Sequence, residues 1–155
     1  MFDQINGLPG HPLIVHGAVV LVPLLCVISI AYAVVPKWRG VVWWAAAALS
    51  IAAPAFAWAA TSSGDSLATE RYRDQIPPPV ADHQALGDRT FYISLALGLV
   101  TLVFVLLTSE RFGGSFRLTR WLSVAMSVVV VVLALVDAYY VIMTGDSGAQ
   151  NTWGA

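Results

Sequence analysis

The sequence predicts an all-α integral membrane protein, an up-down bundle of four helices, from its composition and from four long apolar segments. Hydrophobic residues make up 58% of its 155 residues and charged residues 11%, whereas an ordinary soluble domain carries about 25% charged residues. A transmembrane helix needs about 20 mostly apolar residues, and four segments reach that length. We therefore predict a single transmembrane domain, residues 1–155, with spans at about 12–35, 40–62, 82–108 and 120–144.

Prolines delimit the first two spans. Pro12 suits the first turn of a helix, where its missing N–H removes no hydrogen bond, and Pro36 follows the first span. Lys37 and Arg39 lie in the short turn to the second span, which we expect to end near Gly64, because glycine is the usual residue after a helix C-terminus.

The third span follows three consecutive prolines, 77–79, which favour an extended chain. Asp82 is then a suitable N-cap for this helix. The fourth span begins near Arg120 and is expected to end at residues 145–148, where two glycines occur.

The distribution of Lys and Arg predicts the orientation, because positive residues in short loops mark the cytoplasmic side. The loop between spans one and two holds Lys37 and Arg39, and the loop between spans three and four holds Arg111 and Arg117. The segments at the two termini hold neither Lys nor Arg within reach of the spans. We therefore expect both termini to be extracytoplasmic, in a multi-pass protein of the plasma membrane.

With this topology, the histidines and most acidic residues gather at the outer end of the bundle. Depth was counted from the inner end of each helix at about 1.5 Å per residue. The side chains that this places at the outer level are His11, His16, Asp65, His83, Asp88 and Asp146. The inner half of the bundle holds little that is polar beyond Ser, Thr and the backbone, so we expect any binding site to lie at the outer end.

Asp137 is the one charged residue well inside a span, and a carboxylate there needs a partner because it is costly in hydrocarbon. Arg89 has a similar depth on the third helix. An ion pair between them would fix helices three and four against each other. The other role open to Asp137 is that of a proton-relay carboxylate.

Histidines on facing helices are a common way to hold a b-type haem or a divalent metal inside a bundle. His16 and His83 are the candidate cofactor ligands on helices one and three. For a metal ion, His11 and Asp146 are further candidate ligands. The alternative is that these histidines only hydrogen-bond carboxylates or lipid headgroups near the interface.

The opening segment, residues 7–16 (GLPGHPLIVH), resembles the start of the membrane family called domain of unknown function 2231. Members carry a histidine at the start of the third helix, here His83, and end the fourth helix with Gly-His-Ser-Gly-Ala. Residues 145–149 match that ending except that Asp146 replaces the histidine. A hard divalent metal would tolerate this exchange, whereas a bis-histidine haem using that position would not.

Relatives of this family occur beside, or fused to, cytochrome-like respiratory proteins, so the resemblance implies a haem or redox association. Two functions follow. The first is a non-catalytic accessory subunit or binding module that contacts other membrane subunits, in a respiratory or redox complex. The second is a haem- or metal-binding electron-transfer protein. A transporter fits less well, and no motif supports catalysis or nucleic-acid binding.

Overall fold

The computed structural model describes residues 4–5, 8–73, 75–109 and 119–154. Two short antiparallel strands, β1 (Gln4–Ile5) and β2 (Leu8–Pro9), precede the helices. The four helices are α1 (Gly10–Val34), α2 (Arg39–Tyr72), α3 (Pro78–Thr108) and α4 (Arg120–Trp153). A single 3-10 turn, Pro36–Trp38, joins α1 to α2. The prediction of an all-α bundle of four helices is confirmed.

The helices form a bundle in which each neighbour in sequence is also a neighbour in space. α1 packs along α2 and α4, and α3 packs along the same two helices, so α1 and α3 lie on the diagonal. The core is apolar, with Val22, Leu25, Leu97, Phe104 and Val130 fully buried. This arrangement brings the beginnings of α1 and α3 to one end of the bundle, called here the histidine end because His11 and His83 lie there.

Two helices are longer than the predicted spans. α2 continues to Tyr72 and α4 to Trp153, so Gly64 and Gly148 lie inside helices rather than at their ends. Hydropathy predicts only the part of a helix that lies in the hydrocarbon of the bilayer, which is about 30 Å thick. A helix of 34 residues is about 51 Å long, so it extends beyond the hydrocarbon. α3 also begins earlier than predicted, at Pro78, because Pro77 is extended and a proline suits the first helical position.

α2 and α3 approach closely through small residues. Ala46, Ser50, Ala53 and Ala57 are buried at helical spacing on α2. Gly98 of α3 faces them, and a Cβ built on it would lie 2.5 Å from the backbone oxygen of Ser50. Small residues at such interfaces let helix backbones pack tightly in a membrane, where no hydrophobic force drives helices together.

At the opposite end of the bundle, Arg39 closes the C-terminus of α1. Its guanidinium donates hydrogen bonds to the carbonyl oxygens of Tyr32, at 3.0 Å, and Ala33, at 3.2 Å. It also lies over the rings of Phe104 and Tyr32. The last carbonyls of a helix have no partner within it, so Arg39 supplies one while its charge stays near the bundle end.

The outer surface of the helices is apolar, as expected of a protein in a lipid bilayer. Large hydrophobic side chains such as Val27, Val41, Ile51 and Ile142 are well exposed. All four helices are long and apolar enough to cross a membrane. The chain is therefore a multi-pass membrane protein, which is consistent with the predicted location in the plasma membrane.

The orientation of the protein in the membrane stays a prediction, which depends on the Lys and Arg residues of the loops. Two of them, Arg111 and Arg117, lie outside the described residues. We expect a reporter that is active only in the cytoplasm to be silent when it is fused after Ala155, because the first and third loops hold the positive charge that marks the cytoplasmic side. The same reporter inserted at Gly113 should be active. Activity after Ala155 together with silence at Gly113 would reverse the topology.

Candidate functional site

Two histidines at the histidine end make the same set of contacts with two different helices. His11 Nδ1 lies 2.9 Å from Ser63 Oγ of α2. His83 Nδ1 lies 2.8 Å from Ser147 Oγ of α4. Each pair joins an odd-numbered helix to the even-numbered helix that follows it, so the arrangement is duplicated in the two halves of the bundle.

The serine hydroxyls fix the state of the imidazoles. Ser63 Oγ donates to Ala60 O at 3.0 Å, and Ser147 Oγ donates to Thr144 O at 3.0 Å. With each hydroxyl hydrogen assigned to its backbone carbonyl, each serine oxygen accepts from the histidine Nδ1–H, and each ring is in the tautomer protonated at Nδ1. This assignment leaves the Nε2 lone pair of both rings free to bind a ligand.

A glycine follows each serine and makes room for the ring. A Cβ built on Gly64 would lie 3.1 Å from His11 Cε1, and one on Gly148 would lie 3.0 Å from His83 Cε1. Any larger residue would push the imidazole away from its serine. The Ser-Gly dipeptide is therefore part of the histidine arrangement, and its occurrence at both 63–64 and 147–148 is the sequence signal that could have revealed it.

Both imidazoles are partly buried at the histidine end. His11 and His83, called here the histidine pair, lie there on the diagonal helices α1 and α3. Their hydrogen bonds also differ from those of a nucleophilic serine and its base. In such a pair the serine gives its hydrogen to the histidine, whereas here it gives it to the backbone.

His16 differs in its contacts from the other two histidines. His16 is exposed, and its Nδ1 bonds the carbonyl of Pro12 in the preceding turn of its own helix. Among the described residues His16 makes no contact like those of His11 and His83 with a neighbouring helix, and its role as a ligand stays a prediction. The reason for the different contacts is angular, because five residues on a helix turn a side chain by about 140°, and His11 holds the inward direction.

The acidic residues of the predicted outer cluster lie at the same end but on the outside of the bundle. Asp146 is exposed and accepts a hydrogen bond from Gln150 Nε2 at 2.8 Å. Asp65 is exposed and accepts one from Gln84 Nε2 at 2.7 Å. Asp88 is also exposed. The expected single cavity for the histidines and carboxylates is therefore not formed by the described residues.

Asp137 is fully buried, but Arg89 is not its partner. Ser94 Oγ donates to both carboxyl oxygens, at 2.8 and 2.9 Å, and Cys26 Sγ donates to Oδ2 at 3.7 Å. Arg89 is exposed on α3. The predicted ion pair is thus replaced by hydrogen bonds from neutral groups, because matched depth along a helix does not fix the direction in which a side chain points.

The family model described as predicted membrane protein (DUF2231) matches residues 7–155. The chain belongs to this family. No curated protein and no solved structure matches it significantly.

Within the DUF2231 family, the resemblance implied a histidine where this chain has Asp146. That position is exposed on α4 and directly precedes Ser147, but its carboxylate bonds Gln150 rather than His83. The exchange of histidine for aspartate therefore leaves His11 and His83 in place, together with both serines and both glycines.

Proposed function

We propose that this DUF2231 protein is a membrane binding module that holds a b-type haem iron between His11 and His83 and serves a redox or respiratory complex. The observation that carries the proposal is the duplicated histidine–serine contact, with Nδ1–Oγ distances of 2.9 and 2.8 Å. A histidine that binds a metal usually donates its other ring N–H to a second group, which fixes the ring and makes the ligating nitrogen more basic.

The count of ligands favours haem iron over a free divalent ion. Among the described residues, no group of three or more His, Cys, Asp or Glu side chains could hold a metal ion. A free ion bound by the histidine pair would have to complete its shell with water. Haem iron takes four ligands from the porphyrin and needs only two from the protein, so two imidazoles satisfy it.

A role as an accessory subunit without a cofactor is the second candidate. It is supported by the four apolar helices and by the absence of a catalytic motif in the sequence. It gives no reason for two imidazoles to be fixed by serines with Nε2 left free. The histidine pair therefore favours the binding module, which can itself be a subunit of a larger complex.

The test is a visible absorption spectrum of the full chain, purified in detergent from haem-replete cells and reduced with dithionite. We expect the sharp bands of a low-spin b-type haem. His11→Ala and His83→Ala should each abolish them, because either change removes one of two axial ligands. His16→Ala should leave them unchanged, and this variant is the matched control because His16 lies on the same helix but is exposed.

Removing the serines should weaken binding without abolishing it. The combined change Ser63→Ala and Ser147→Ala should lower haem affinity by about 10–100-fold, the usual effect of losing the groups that orient ligating histidines. Haem titration of the purified protein measures this. Equal affinity in the variant and the unchanged chain would show that the serines do not orient the rings.

The remaining outcomes separate the two ligands. Near-stoichiometric metal without a haem spectrum, lost in the His11 and His83 variants, would assign the site to a divalent ion. Neither haem nor metal in protein from replete cells would overturn the binding module, and the accessory role would stand.

A further inference from the structure

Asp137 is a carboxyl group in the middle of the bundle whose hydrogen-bond donors are all neutral. It has no exposed surface, and its donors are Ser94 on α3 and Cys26 on α1. Within the described residues, no Lys, Arg or His side chain bonds it. An ionised carboxylate in such surroundings is costly, so the group is expected to carry a proton.

A pair of threonine hydroxyls lies between Asp137 and the histidine end. Thr90 Oγ1 of α3 and Thr144 Oγ1 of α4 are 2.8 Å apart. Each also lies within hydrogen-bond distance of a carbonyl of its own helix, Thr90 with Leu86 O at 2.9 Å and Thr144 with Tyr140 O at 2.8 Å. A hydroxyl has one hydrogen, so one threonine donates to the other while the second donates to its carbonyl. The two roles can be exchanged, which gives the pair two orientations.

The step from this pair to Asp137 is short. Thr90 and Ser94 are four residues apart on α3, one helical turn with a rise of about 6 Å. Ser94 Oγ already bonds the carboxyl group at 2.8 Å. Among the described residues no hydrogen bond joins the Thr90 and Ser94 hydroxyls, so the route requires a bridging water molecule at this turn.

The path in the other direction is less favourable. The next threonine along α3 is Thr101, seven residues from Ser94, or about 10.5 Å of rise, and it bonds Ser29 at 3.1 Å. The fully buried side chain of Leu97 lies between them on α3. A route from Asp137 along α1 would begin with the Cys26 thiol. A thiol is a weak hydrogen-bond donor and acceptor, so this route is also unfavourable for proton transfer.

We propose that Asp137 is a proton-binding site that exchanges its proton with water at the histidine end through Thr144, Thr90 and Ser94. In uptake, Ser94 gives its hydroxyl hydrogen to an Asp137 oxygen and receives one from the Thr90 side. The threonine pair receives a proton from a hydronium ion at the histidine end, so the net reaction converts one carboxylate and one hydronium ion into one carboxyl group and one water molecule. Release follows the same steps in reverse. This inference does not depend on a ligand at His11 and His83.

The same hydrogen bonds also hold α1, α3 and α4 together, so a loss of stability alone would not support the proposal. The decisive measurement is the infrared C=O band of the protonated carboxyl group in the full chain reconstituted in lipid. Asp137→Asn identifies the band by its loss and preserves the shape of the side chain. Transfer to D₂O shifts the band, and the rate of that shift reports how quickly the carboxyl proton exchanges.

We expect the combined change Thr90→Val and Thr144→Val to slow the shift by about tenfold or more, which corresponds to a barrier about 1.4 kcal/mol higher. Thr101→Val should leave the rate unchanged. It is the matched control, because Thr101 is a buried, hydrogen-bonded threonine of the same helix on the other side of Asp137.

Three results would overturn the proposal. The first is the absence of a carboxyl band that depends on Asp137, since the group would then carry no proton. The second is an unchanged rate in the Thr90 and Thr144 variant. The third is slowing by Thr101→Val alone, which would place the access on the opposite side.

Discussion

Replacing Gly98 by alanine is expected to force α2 and α3 apart and to destabilise the bundle by about 1–3 kcal/mol, the usual effect of overpacking. The added Cβ would lie 2.5 Å from the backbone oxygen of Ser50. A backbone atom cannot rotate out of the way as the end of a side chain can. One of the two helices must therefore move, and the buried alanines of α2 would lose contact with α3.

This loss can be measured by unfolding the protein in mixed micelles with increasing denaturing detergent. Gly145→Ala is the matched control, because a Cβ on Gly145 meets nothing within 4 Å. Alanine favours a helix over glycine by about 0.8–1.0 kcal/mol, so the control should be at least as stable as the unchanged chain. Equal stability of the two variants would show that α2 and α3 do not pack as closely as described.

Replacing Arg39 by alanine is expected to destabilise the end of the bundle opposite the histidines by about 1–3 kcal/mol, the effect of leaving a buried acceptor without its donor. Tyr32 O loses the Arg39 bond, whereas Ala33 O keeps a hydrogen bond from Ser127 Oγ at 3.1 Å. The change removes the hydrogen bonds to Tyr32 O and Ala33 O and the contact with the Phe104 ring. Arg39→Lys should restore only part of the loss, because one ammonium cannot reproduce the planar, forked guanidinium.

Lys37→Ala separates this cap from a general effect of charge. Lys37 is exposed in the same short turn, and its side chain makes no hydrogen bond with the residues that the structure describes. Both variants remove one positive charge from the same loop, so an effect on membrane insertion would appear in both. A loss of stability in detergent that is as large for Lys37→Ala as for Arg39→Ala would contradict the capping role.

The sequence limited the site to one end of the bundle without identifying its contacts. Counting residues along each helix placed His11 and His83 at the same level, because the rise per residue of a helix is constant. The same counting matched Arg89 to Asp137, which the structure separates. Depth depends on position along one helix, whereas a contact depends on the rotation of two helices about their axes.

The resemblance of residues 7–16 indicated the family, and the match over residues 7–155 established it. It drew attention to His16 and to Asp146, both of which lie on the outside. It did not indicate Ser63 and Ser147, which hold the two inward-facing rings. Each serine comes close to its histidine only through the packing of two helices, at sequence separations of 52 and 64 residues.

The sequence by itself determined the four helices and their place in a membrane, because the low charge and the length of the apolar segments leave no other way to satisfy the backbone. Which polar groups meet depends on the packing of the helices. This packing brings His11 to Ser63 and His83 to Ser147, and it surrounds Asp137 with Ser94 and Cys26. It also placed Gly64 and Gly148 against imidazole rings instead of at helix ends. Hydropathy responds to the lipid outside the bundle, whereas these contacts depend on the packing of side chains inside it.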